Sequence, residues 1–220
     1  MYANFMKTLT ILYLVTAGLS APALNKRADP SAVAILETIA PKSKSCNGAP
    51  VPDECRTASQ AADFLIKSFK DYQLYNAAEM AAVLSLIALE SGEFQYNINH
   101  FPGNPGQGTR NMQMAPFNLE YALTVQPAAV KKITPATTVN GLSNDQLNAI
   151  RDIVTTDEFT WASGAWFYST KCDAATKTAV QTQGKAGYVK YLTDCVGTSS
   201  TPDREAYWTR ARTAFGLPAS

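Results

Sequence analysis

Charge is scarce in this chain, and histidine nearly absent. Asp, Glu, Lys and Arg make up 17% of its 220 residues, and His100 is the one histidine. With four cysteines and no Cys-x-x-Cys pair, the chain offers few ligands for zinc, which takes four nitrogen or sulfur atoms, or three plus water. No metal site and no cofactor are expected. His100 has no serine or cysteine partner in a nucleophile motif, which argues against a His-based hydrolase. Neither charge sign is in excess: the formal net charge is +1. There is no basic footprint for nucleic acid or an anionic membrane. No apolar run is long enough to span a bilayer. Internal repeats and low-complexity segments are missing too. What remains is an apolar content of 46%, the composition of a globular domain.

Residues 1–20 have the form of a signal peptide, with Lys7 ahead of an apolar run from Leu9 to Leu19 and small residues Gly18 and Ser20 before the cut. Lys26-Arg27 reads as a dibasic processing site that closes a pro-segment over 21–27. The expected product is a secreted, extracellular, monomeric single domain over 28–220. It carries sixteen basic residues against eighteen acidic, a charge of about −2. An even cysteine count in a secreted chain implies disulfides. Three pairings are open. Cys46–Cys55 and Cys172–Cys195 are favoured because each closes a short local loop.

The organising stretch is 76–113. Asn76-Ala-Ala-Glu79 has the form of a capping box. From Met80 to Leu89 only Ser85 is polar, so the helix is apolar on every side and reads as buried. Glu90 ends it, and Gly92 suits the left-handed position beyond. Glu90 continues the stripe of Val83 and Ile87. Apolar surroundings and the negative end of the helix dipole both raise its pKa. A carboxyl held neutral is what a general acid requires. The plain alternative is a helix-end carboxylate in a salt bridge. The segment that follows is rich in Gly, Pro and Asn and predicts a β-hairpin near 94–115.

Around this core the pattern predicts a mainly α domain. Helices are expected from Asp29-Pro30 to Ala40, from Thr57 to Tyr72, from Pro116, from Pro127 to Ile133, and from Ser143 to Val154. A single aromatic helix is expected over Asp157–Lys171, then short helices over 173–195 and a last one from Thr201-Pro202.

Ala88-Leu-Glu90-Ser91-Gly, followed by Gly108-Thr-Arg110-Asn-Met-Gln113, resembles the lysozyme-like superfamily: goose-type lysozymes, lytic transglycosylases, plant-type chitinases, and most of all secreted fungal muramidases. The resemblance implies an α+β lysozyme-like fold with a hairpin beside the cleft. It implies a glycoside hydrolase that cleaves β-1,4 bonds of N-acetylhexosamine polymers, with peptidoglycan ranked above chitin. Glu90 would be the acid, and Thr109, Asn111 and Gln113 would place water, which favours inversion. Glu93, Glu120 and Asp145 are the candidates for a second carboxylate. Tyr96, Asn99, His100, Arg110, Asn111 and Tyr168 are candidate substrate contacts. Trp161, Trp166 and Tyr168 are either sugar-stacking or core residues. A lytic transglycosylase and a non-catalytic secreted glycan-binding or effector protein are the alternatives.

Overall fold

A computed structural model describes residues 31–218. The leader, the dibasic site and Asp29-Pro30 lie outside the described residues. The helices are α1 (Ala32–Ile39), α2 (Ala58–Asp71), α3 (Ala77–Glu90), α4 (Ala115–Val125), α5 (Pro127–Ile133), α6 (Asn144–Val154), α7 (Asp157–Thr160), α8 (Ser163–Lys171), α9 (Ala174–Thr182), α10 (Gly184–Lys190) and α11 (Pro202–Ala214). Among the described residues none is long and apolar enough to cross a membrane.

Helix α3 is the axis, and its residues from Ala81 to Ala88 are all buried. Helix α11 packs along it, while α9 and α8 cover other sides. Gly164 lets α8 approach closely, since a Cβ there would lie 2.9 Å from Cδ1 of Ile87. A second core is built from Leu119, Tyr121, Ile150, Val154, Trp166 and Phe167, where α4 and α6 meet α8. Two disulfides, Cys46–Cys55 and Cys172–Cys195, each close a local loop.

Capping chemistry explains several starts. Thr57 with Gln60, and Ser143 with Gln146, form complete capping boxes. Helix α3 starts differently. Asn76 caps through Ala78 N–H, but Glu79 does not turn back. It is buried and accepts a hydrogen bond from Tyr168 Oη at 2.9 Å. A buried partner on α8 has replaced the local one. The expected helix over Asp157–Lys171 is two helices, broken at Trp161–Ala162. There the Trp161 indole N–H turns back to Asp157 Oδ1.

The mainly α reading stands, but the β-hairpin does not. Residues 94–115 contain only isolated bridges, Ile98 with Gly108 and Gly108 with Gln113. The reason is local. Phe94, Thr109 and Met112 have positive φ, which breaks the extended run. Side chains also take the amides a ladder would use. Glu54 accepts from Asn97 and Ile98 N–H, Asn99 from Gly103 and Asn104 N–H, and Asn148 from Gly106 N–H.

Candidate functional site

Glu90 stands where α3 runs out. Ser91 fixes the exit: its hydroxyl donates to Ile87 O and accepts from Phe94 N–H. The turn brings the loop 94–113 back over the helix end. This leaves a cleft of about 300 Å³ lined by Glu90, Tyr96, Ile98, Asn99, His100, Phe101, Gln107 and Met112. A smaller compartment of about 110 Å³ shares Glu90 and Met112 with this cleft. It includes Asn111, Gln113, Phe117 and Phe167 in its wall.

The Glu90 side chain is 26% exposed and meets Arg204 of α11, whose Nη2 donates to Oε1 at 3.2 Å. Burial pushes the Glu90 carboxyl above its ordinary value, and the Arg204 charge and hydrogen bond pull the other way. Desolvation is the larger effect, so the neutral acid persists to higher pH than in water. Arg204 has no sequence signal linking it to Glu90, because it stands 114 residues away on another helix.

The loop is held from below by two groups. Arg110 is only 1% exposed. Its guanidinium lies 4.5 Å over the Trp161 ring and donates to Phe94 O, Tyr96 O and Glu54 O. Burial lowers its pKa to about 10. Glu54, next to Cys55 of the first disulfide, is the second group. Its Oε2 takes the Asn97 and Ile98 amides at 2.6 and 3.0 Å, and its Oε1 faces His100 Nε2 at 2.7 Å. Glu54 belongs to no sequence motif; its one signal is its place beside Cys55 in a Pro-flanked loop.

The other expected site residues divide clearly. Tyr96, Asn99 and His100 line the cleft, and Asn111 and Gln113 line the smaller compartment. Asn118 Nδ2 is committed to Gly106 O and Gln113 O, so its Oδ1 must accept from Gln113 Nε2. That fixes the Gln113 amide with Oε1 unpartnered, as is Asn111 Oδ1. Thr109 is fully buried at φ 68°, with its hydroxyl turned to Asn111 N–H. Arg110 lies beneath the cleft. Tyr168 is in the core with Glu79, and Trp161 and Trp166 are buried as well. Trp208 is core too, stacked on Tyr188 at 5.2 Å. Glu93 is buried under Lys42 N–H, Tyr207 Oη and Arg210. Glu120 pairs with Lys171, and Asp145 is exposed in the first turn of α6. None of these three acids lines the cleft.

Comparison with known proteins redirects the chemistry. The chain is 46% identical over 172 residues to a protein of Fusarium oxysporum named bifunctional dioxygenase (DOX)-epoxy alcohol synthase (EAS). The match takes in 78% of this chain and 13% of that relative, so the chain spans a small part of the relative's length. No family model matches. No solved structure matches.

This match corrects the lysozyme-like resemblance. With it go the glycoside hydrolase, muramidase, chitinase and transglycosylase assignments, because the relative is named for oxidative chemistry and not for glycan cleavage. The pattern behind the resemblance is short: a carboxylate at a helix end, then a glycine-rich turn and amides. The structure gives that pattern a non-hairpin loop, which removes its one distinctive fold element. Dioxygenase chemistry calls for a centre that activates dioxygen. Among the described residues, no group of three or more His, Cys, Asp or Glu is placed to hold a metal ion.

Proposed function

We propose that this chain is a secreted helical module working alongside oxygenation chemistry of the kind named for its relative. Its cleft would take an oxygenated organic ligand of the epoxy alcohol class. The observation that carries this reading is Glu90: a partly buried carboxyl with its pKa raised, facing a cleft with both polar and apolar walls. A neutral carboxyl donates one strong hydrogen bond, and an epoxide or ether oxygen accepts one without offering a donor in return. Asn99, Gln107 and Tyr96 offer groups for the alcohol, and Ile98, Phe101 and Met112 offer surface for carbon. Secretion is supported by two disulfides, which persist in oxidising compartments.

The test is calorimetric titration of the purified protein with phenylglycidol, an epoxy alcohol of suitable size. The reading expects saturable binding that competes with glycidol and weakens in Glu90→Ala. Equal binding by wild type and Glu90→Ala would overturn it.

A further inference from the structure

We propose that His100 and Glu54 form a general-base dyad at the cleft that Glu90 also lines, so that the module adds water to the epoxide ring of its ligand. The inference rests on the ligand class proposed above.

The dyad follows from hydrogen-bond accounting. Glu54 Oε2 accepts two backbone amides, which leaves Oε1 as the acceptor for the ring nitrogen 2.7 Å away. Nε2 must therefore carry the hydrogen, and in the neutral ring Nδ1 keeps its lone pair. The Glu54 side chain is only 13% exposed while that of His100 is 47% exposed, so the carboxylate is the fixed member and the ring the accessible one. Glu54 is anchored further: the Cys46–Cys55 disulfide is adjacent, and its own carbonyl accepts from the buried Arg110. His100 and Glu90 line one cleft of about 300 Å³, room for a ligand of this class with a water beside it. An oriented base and a carboxyl whose pKa burial raises, lining one cleft, are the two halves of acid–base catalysis.

The step balances without an oxidant or reductant. Glu90 gives its carboxyl proton to the epoxide oxygen as one ring carbon–oxygen bond breaks. The water oxygen bonds to that carbon, and Nδ1 of His100 takes the water proton. The imidazolium then releases that proton to solvent, and Glu90 regains one. An epoxy alcohol plus water becomes a triol. In a reaction sequence, such a step consumes the product of an epoxy alcohol synthase. Glu54 touches no ligand and acts as a positioning residue.

One histidine in the chain makes the test clean. Nitrogen-15 NMR of His100, taken above the ordinary imidazole titration range, reads the tautomer directly. The dyad requires protonated Nε2 in the wild type and a return toward a mixture in Glu54→Gln. A protonated Nδ1 in the wild type overturns it. The protein is then incubated with phenylglycidol and the triol is measured, with ligand binding followed by shifts of the His100 signals. Turnover that falls about 100-fold in His100→Gln is the expected result. Binding without turnover in the wild type overturns the dyad and leaves the ligand class standing. Absence of binding overturns the ligand class and the dyad together. Circular dichroism confirms that His100→Gln, an exposed change, keeps the fold.

Discussion

Arg204 Nη2 lies 3.2 Å from Glu90 Oε1, so the last described helix holds the acid at the end of the third. The pair is partly buried on both sides, and burial outweighs the cation at Glu90. Removing Arg204 therefore removes what lowers the Glu90 pKa. In Arg204→Gln, carbon-13 carboxyl NMR should find Glu90 titrating at higher pH than in the wild type. An unchanged titration would contradict the electrostatic account.

The same shift predicts a direction for stability against pH. The folded pKa of Glu90 lies above its ordinary 4.5. Between those two values the folded state holds a proton that the unfolded chain has lost, so stability falls as pH rises through that window. Below the ordinary value the contribution is fully present. Glu90→Gln should flatten this fall in a series of melting temperatures against pH. A parallel pair of curves would count against it.

Arg110 carries the loop rather than the ligand. Arg110→Met leaves the Tyr96 and Glu54 carbonyls without their donor beneath the cleft, while Phe94 O keeps the Arg56 N–H. At roughly 1–3 kcal/mol for each stranded buried group, a loss of about 2 kcal/mol or more is expected in urea denaturation. A loss under about 1 kcal/mol would mean that water replaces the guanidinium.

The disulfides should separate in effect. The loops they close span 9 and 23 residues, and chain entropy gives about 3 kcal/mol for each, a little more for the longer. Replacing Cys46 and Cys55 by serine should also loosen Glu54 and alter the His100 signals. Replacing Cys172 and Cys195 should cost stability alone. Equal NMR effects from both would contradict the placement of Glu54.

Gly187 is a packing position. A Cβ there would stand 2.0 Å from the carbonyl oxygen of Ala179, so α10 can lie against α9 only without a side chain. Gly187→Ala should cost about 1–3 kcal/mol in the same denaturation assay. A neutral result would show that the two helices can shift apart.

The helices were legible wherever apolar spacing met a cap, as at Thr57, Ser143 and the long apolar run into Glu90. The end of α3 and the helix-breaking Gly92 could be read because both are local. The loop could not. Its amides are claimed by Glu54 and Asn148 from distant segments, and no spacing rule encodes a partner 43 residues away. The same blindness hid Arg204 behind Glu90 and turned Glu79 from a cap into a partner of Tyr168. Chemistry suffered most. A carboxylate at a helix end followed by amides is shared by acid sites of unrelated purpose, and the sequence match pointed elsewhere.

A Glu90 carboxyl that donates its proton to a ligand oxygen ties affinity to pH. The most direct measurement is the affinity for phenylglycidol as a function of pH, for the wild type beside Glu90→Ala. Binding should weaken as pH rises through the raised Glu90 titration, and affinity in the variant should be about tenfold lower at low pH. Affinity that is independent of pH and identical in the variant would contradict it.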